Sequence, residues 1–289
     1  MIDFDALHAF SVFARTRNFT RAAEALHISQ PALHVKIAKL GTALGVALYR
    51  RRGRELELTD AGQQVARFGS ETRASVDEFV ARLRGVEPHE PVVLAAGEGA
   101  LLYLLAPAIR EWQRQRPAAP LRILSRDREA TLEAVRSGEA HVGVAVLEAA
   151  PDDLQAPLLA RAGSIVAMPS RHPLARRREL QPADLKGAPM IVPPAGRPHR
   201  EAFSRAMLER DLPWTVAVEV SGWPLMLELA RSGVGLAVVN STCVLPRGVV
   251  GRPLRGVPAV HYRLLYSRGR RSDTAEQLIA MIGKAKNPR

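Results

Sequence analysis

Nine lysines and arginines lie between Arg15 and Arg54, with one acid, Glu24, among them. That stretch carries +8 of the chain's formal net charge of +12. Four of these cations, Arg50, Arg51, Arg52 and Arg54, surround Gly53. Guanidinium groups clustered at a glycine turn suit phosphate oxygens, which their fixed donor forks match. The implied partner is a polyanion, and nucleic acid is the one that rewards clustered charge. A solvated basic loop is the plainer alternative. Catalysis has no equivalent support. Serines, histidines and acids occur without a nucleophile elbow, a phosphate loop or an HExxH pattern. Gly97-Glu98-Gly99 lacks the further glycine of a dinucleotide fingerprint. Cys243 is the single cysteine, so no intramolecular disulfide forms, and the eight histidines show no zinc spacing. No catalytic residue, metal or cofactor is expected. A reducing, cytoplasmic setting fits.

The elements that must position these residues follow from periodicity. At 289 residues the chain suits two domains and a connector. The start, MIDFDALHAF, is too acidic for a signal peptide, and apolar stretches such as Val234–Val239 are too short to span a bilayer. Leu7, Phe10, Val12 and Phe13 suit a first helix. Thr20 can cap a second over Arg21–Leu26. Ser29 can cap a third, with Pro31 in its first turn. Leu33, Ile37, Leu40 and Leu44 form one face of that third helix. Pro31, Val35, Ala38, Lys39 and Thr42 lie opposite, and Gln30 is at the exposed tip. This is helix-turn-helix geometry. Leu56-Glu57-Leu58 alternates like a strand, so the arginine cluster becomes a hairpin tip, or wing. Thr59 can cap a long helix to about Leu83. Its heptad-like seam is Ala61, Val65, Phe68, Thr72, Val76, Phe79 and Leu83. The seam fits dimerisation, or packing on its own chain. Glu87–Pro91 reads as a linker. Beyond it, strand and helix patterns alternate, predicting a mostly parallel α/β architecture of two lobes with a cleft between them.

Taken in order, several motifs carry a specific resemblance. They are Asn18-Phe19-Thr20-Arg21-Ala22-Ala23, Ser29-Gln30-Pro31-Ala32-Leu33, Leu48-Tyr49-Arg50-Arg51 and Leu58-Thr59-Asp60-Ala61-Gly62. His172-Pro173-Leu174-Ala175 and Gly233-Val234-Gly235-Leu236-Ala237 extend the match toward the C-terminus. The chain resembles the LysR-type transcriptional regulators over essentially its whole length. The resemblance implies a winged helix-turn-helix DNA-binding domain (1–58), a linker and dimerisation helix (59–86) and an effector-binding domain (87–289). The last is of periplasmic-binding-protein type, with lobe I at about 91–161 and 262–289 and lobe II at about 162–261. A homodimer or homotetramer, a double-stranded DNA operator, a small-molecule effector and a contact with RNA polymerase are further implications.

On that frame, phosphate contacts are expected from Thr20, Arg21, Lys36, Lys39, Arg50, Arg51, Arg52 and Arg54. Gln30 can pair with adenine, Pro31 or Val35 can touch a thymine methyl, and His34 can donate to guanine N7 or to a phosphate. The family usually has a small hydroxyl residue at His34, commonly a basic one at Val35 and a polar or basic one at Ala38, so its operator sequences do not transfer. The effector site is expected where strand ends meet helix N-termini. Gly99, Ala100, Leu101, Arg126 and Arg128 form one side, and Pro194, Gly196, Arg197 and Trp223 the other. The resemblance puts a Ser or Thr where Ala100 stands. An organic anion or aromatic acid fits the arginines. His141, where the family often has Asp, is read as structural. A transporter's solute-binding protein shares the lobe pattern but not residues 1–58. A sequence-indifferent DNA binder would leave the two lobes without purpose.

Overall fold

A computed structural model describes residues 2–53, 55–83, 91–269 and 271–284. Arg54 and most of the Glu87–Pro91 linker lie outside the described residues. The N-terminal unit is α1 (Phe4–Thr16), α2 (Phe19–Ala25), α3 (Gln30–Leu44) and a hairpin of β1 (Tyr49–Arg52) and β2 (Glu55–Leu58). Phe10, Phe13, Leu33, Ile37 and Leu40 are buried together at its centre. Asn18, rather than Thr20, caps α2, accepting from Arg21 N at 3.1 Å. The expectation for Thr20 was two residues too far along, because the Asn18 side chain already reaches the N–H of the third helical residue. Ser29 does cap α3, accepting from Ala32 N at 3.3 Å. Gly53, at φ +63°, turns the hairpin in a conformation that favours glycine.

The long helix α4 (Asp60–Leu83) starts at Thr59, whose hydroxyl accepts from Gly62 N and donates to Ala47 O at 2.6 Å. Its first turn is pressed against the wing root. A Cβ on Gly62 would lie 1.8 Å from the Leu48 carbonyl oxygen. One face of α4 packs on α1, where Ser11 Oγ donates to Leu7 O and to Ala66 O. The seam residues Phe68, Val76, Phe79 and Leu83 remain exposed.

Lobe I is a six-stranded sheet in the order β4-β3-β5-β13-β6, with β7 also on β13. Its strands are β3 (Val92–Ala96), β4 (Leu121–Ser125), β5 (Val142–Val146), β6 (Leu154–Gln155), β7 (Leu158–Ala162) and β13 (Val260–Ser267). Its helices are α5 (Glu98–Ala100), continued through a wider turn at Leu101–Leu105 into α6 (Ala106–Gln115), then α7 (Arg128–Arg136) and α10 (Asp273–Lys284). Lobe II is the sheet β10-β9-β11-β8-β12. It contains β8 (Ser164–Pro169), β9 (Pro189–Val192), β10 (Thr215–Glu219), β11 (Leu236–Asn240) and β12 (Val249–Pro253), with α8 (Pro198–Leu208) and α9 (Trp223–Arg231). Both sheets are mixed rather than mostly parallel. The β8 and β13 strands, which follow the two crossings between lobes, run antiparallel to their neighbours. Apolar patterning reports burial on both faces and is blind to strand direction. Among the described residues no helix is long and apolar enough to cross a membrane.

Candidate DNA interface and interlobe cleft

The exposed face of α3 is set by helix phase. Leu33, Ile37 and Leu40 are buried, which turns Gln30, Pro31, His34, Val35, Ala38 and Lys39 outward. Val35 is 52% exposed, an apolar side chain held in solvent by the packing of its own helix. His34 stacks on the Phe19 ring, with centroids 3.5 Å apart and planes at 16°. The imidazole is therefore fixed in orientation while its edge stays exposed. Thr20 Oγ1 donates to Gln30 Oε1 at 3.3 Å, tying the start of α2 to the tip of α3. Arg21 is exposed beside it. Lys36 is set apart. It lies on the flank of the helix toward the core side and pairs with Asp5 at 3.6 Å.

The wing is not a field of free cations. Strand pairing puts Arg50 opposite Glu57, and Arg52 shares the same face. Glu57 accepts from Arg50 at 3.2 Å and from Arg52 at 3.4 Å. Desolvation raises the Glu57 pKa, but the two guanidinium hydrogen bonds outweigh it and hold the carboxyl below its ordinary value. Arg51 points to the other side and donates to Gly53 O at 3.1 Å. Arg50, Arg51 and Arg52 are all exposed.

A cleft of about 320 Å³ lies between the lobes. Gly99, Ala100, Arg126, Arg128, Pro194, Arg197 and Trp223, all expected at the effector site, line it together. Leu101 and Gly196 do not. Leu101 is half-buried against the lobe I core, and the Gly196 N–H donates to Glu201 at 2.9 Å. The N-terminal ends of three helices converge on the space. Asp127 caps α7, accepting from Ala130 N at 2.9 Å. Arg197 and Gly222, at the starts of α8 and α9, supply no side-chain cap. The N–H groups that remain in their first turns, which Pro198 and Pro224 do not supply, and the helix dipoles favour negative charge there.

Trp223 does not lie free as a stacking platform. Its Nε1 edge crosses from lobe II to lie over Gly99 of lobe I, where a Cβ would come within 2.0 Å. Its ring also meets His199 edge-on, with centroids 5.0 Å apart. At the back, Asn240 at the end of β11 donates to the Tyr262 hydroxyl on β13 at 2.7 Å, joining the lobes.

Among the lining residues not anticipated are Glu98, Thr131, His199 and Tyr262. Glu98 and Tyr262 carried no local signal in the sequence. Thr131 is a hydroxyl inside the otherwise apolar inner stripe of α7, and His199 follows a helix-opening proline. Both are buried, and neither Thr131 Oγ1 nor His199 Nε2 has a hydrogen-bond partner. Burial lowers the His199 pKa to about 4, so the ring is neutral at pH 7. His141 is structural, accepting from Val93 N at 3.0 Å through Nδ1. Among the described residues no group of histidines, cysteines and acids is placed to hold a metal.

Comparison with known proteins follows this division of the chain. Residues 4–63 match the bacterial regulatory helix-turn-helix protein, lysR family, and residues 85–286 match the LysR substrate binding domain. The RuBisCO operon transcriptional regulator of Allochromatium vinosum is 25% identical over 277 residues, 93% of this chain and 91% of that protein. The HTH-type transcriptional regulator BudR of Raoultella terrigena is 27% identical over 287 residues, 96% of this chain and 98% of that one. In fold, full-length OxyR from Pseudomonas aeruginosa aligns with a TM-score of 0.72 at 21% identity, covering 99% of this chain and 94% of that one. Full-length CbnR complexed with its target DNA aligns at 0.58 and 18% identity, covering 99% and 100%. The matches span both domains and name regulators rather than enzymes, so this chain belongs to the LysR family of DNA-binding transcriptional regulators with an effector-binding domain.

Proposed function

We propose that this regulator works in the cytoplasm as a homo-oligomer whose affinity for a dyad operator is set by a small organic anion in the interlobe cleft. Residues 1–58 bind DNA, 59–86 link and dimerise, and 87–289 sense the anion. The observation that carries the reading is the convergence of Arg126, Arg128 and Arg197 with two helix starts lacking side-chain caps on one cleft. Its volume sits at the small end of ligand pockets, which run from roughly 300 to 1,000 Å³. The exposed seam of α4 supports pairing of two copies, since apolar side chains at heptad-like spacing call for a facing helix. Paired α3 helices then read half-sites about one duplex turn or a multiple apart. Gln30, Pro31, His34 and Val35 face base edges, with Thr20, Arg21, Lys39 and the wing arginines on phosphates. Lys36 serves a phosphate only after leaving Asp5. An operator-bound regulator of this kind also presents a surface to RNA polymerase.

The test has two parts. Genomic fragments recovered with the purified protein and sequenced should share a dyad motif. Thermal melting with a panel of small carboxylic acids should give upward shifts that Arg197→Ala reduces. Random fragments and flat melting curves would overturn the proposal.

A further inference from the structure

Resting on the cleft as the effector site, a finer assignment comes from how polarity changes with depth. Each lobe presents the same sequence of groups along one helix. In lobe I, Arg128 is exposed at the first residue of α7, and Thr131 follows one turn further in, with no exposed surface at all. In lobe II, Arg197 is exposed at the N-cap of α8, and the buried His199 follows two residues later. Both deep residues line the cleft, and each has a side-chain polar atom with no hydrogen-bond partner. The Thr131 methyl is turned toward Gly143, where a Cβ would stand only 3.1 Å from it. A side chain at that position would displace the threonine.

We propose that the effector is a hydroxy or oxo acid, its carboxylate at the arginine mouth and its uncharged oxygen at the end of the cleft lined by Thr131 and His199. The polarity of the deep end follows from its donors. A threonine hydroxyl donates or accepts, as does a neutral imidazole with one N–H and one bare nitrogen. Neither supplies charge, and burial keeps the imidazole from acquiring one. A second carboxylate at that depth would have no countercharge. A wholly apolar tail would seal both orphaned groups away from any partner. Asp127 is engaged as the α7 cap, and Glu98, at the start of α5, lies beside Gly222.

Matched acids decide the matter. The probes are benzoate against 4-hydroxybenzoate and hexanoate against 6-hydroxyhexanoate, titrated calorimetrically into the full chain. The hydroxy acid of at least one pair should bind on the order of tenfold tighter than its parent. Thr131→Val should erase that preference while leaving the parent's affinity unchanged or higher. His199→Phe, which keeps a ring against Trp223, should erase it too. The valine variant should melt no lower than the parent protein in the absence of acid, because it removes a buried hydroxyl that has no partner. A lower melting temperature would mean that the hydroxyl serves the fold, and would overturn the assignment. Equal binding of parent and hydroxy acid in both pairs, each still weakened by Arg197→Ala, would overturn the assignment and leave the cleft as the effector site. No binding by any of the four acids would overturn both.

Discussion

At the scale of single residues, the charges most visible in the sequence are already partly committed. Glu57 holds Arg50 and Arg52 on one face of the wing. DNA phosphate must compete with that carboxylate, so removing it should help binding without regard to sequence. Glu57→Gln is expected to raise affinity for random duplex and to steepen the dependence of log affinity on log salt by about 1–2. Fluorescence anisotropy at four salt concentrations reads the slope, and a slope equal to the parent's would show the arginines free without the substitution. Substituting Arg51 and Arg52 by alanine should do the reverse, weakening binding to all sequences and flattening the slope. His199 gives a pH signature. Its pKa falls from the ordinary 6.5 to about 4 on folding because burial disfavours the charged ring. The stability this provides is complete above pH 6.5 and is lost as pH falls toward 4. The loss should approach about 3 kcal/mol at the acid end. Melting temperatures at pH 7.5 and 5.0 should therefore differ less in His199→Gln than in the parent. Equal differences would count against a neutral buried ring.

Elements were legible wherever periodicity and capping spoke together. The stripe of Leu33, Ile37 and Leu40 and the Ser29 cap define α3 directly, and Gly53 marks the hairpin tip. The long helix was legible, but its two faces were not separable, because seam and α1-facing residues interleave. In the structure Ala66 and Gly69 go to α1, while Phe68, Phe79 and Leu83 face outward. The arginines and Trp223 of the cleft were legible because they follow strand ends. Thr131 and His199 were not, because a single polar residue in an apolar stripe looks like tolerated variation until its missing partner is seen. Gly62 acquires a reason only in three dimensions. With the Leu48 carbonyl 1.8 Å from a would-be Cβ, Gly62→Ala must lever α4 off the wing root. A loss of roughly 3 kcal/mol is expected, at the upper end of overpacking costs, read as a lowered midpoint in urea. A change below about 0.5 kcal/mol would show that the helix start shifts freely. Phe79→Glu tests the other face of α4. It should lower the sedimentation mass toward that of one chain, and an unchanged mass would place the pairing surface elsewhere.

Across the whole molecule, α7 touches both functional parts. Its first turn lines the cleft, and its Glu133 pairs with Arg17 of the DNA-binding domain. Just beyond it, Gly138 lies against Ser70 of α4, and Arg67 of α4 donates to Asp153 O at 3.1 Å. A helix of nine residues, about 13 Å long, thus separates sensor from reader. Removing the exposed Arg17 contact by Glu133→Ala, together with Arg67→Ala, should lower the melting transition of the DNA-binding domain by a few degrees relative to that of the lobes. Superimposable calorimetric traces would show that these contacts couple nothing. The crossing of Trp223 onto Gly99 has a different kind of consequence. Of the three tryptophans, Trp112 is sealed in the lobe I core and Trp214 sits beneath Arg200 beside Phe203. Trp223 alone borders the cleft. The protein therefore carries its own optical gauge: light emitted by that one indole changes colour and brightness when the lobes part or a guest arrives, with no dye attached.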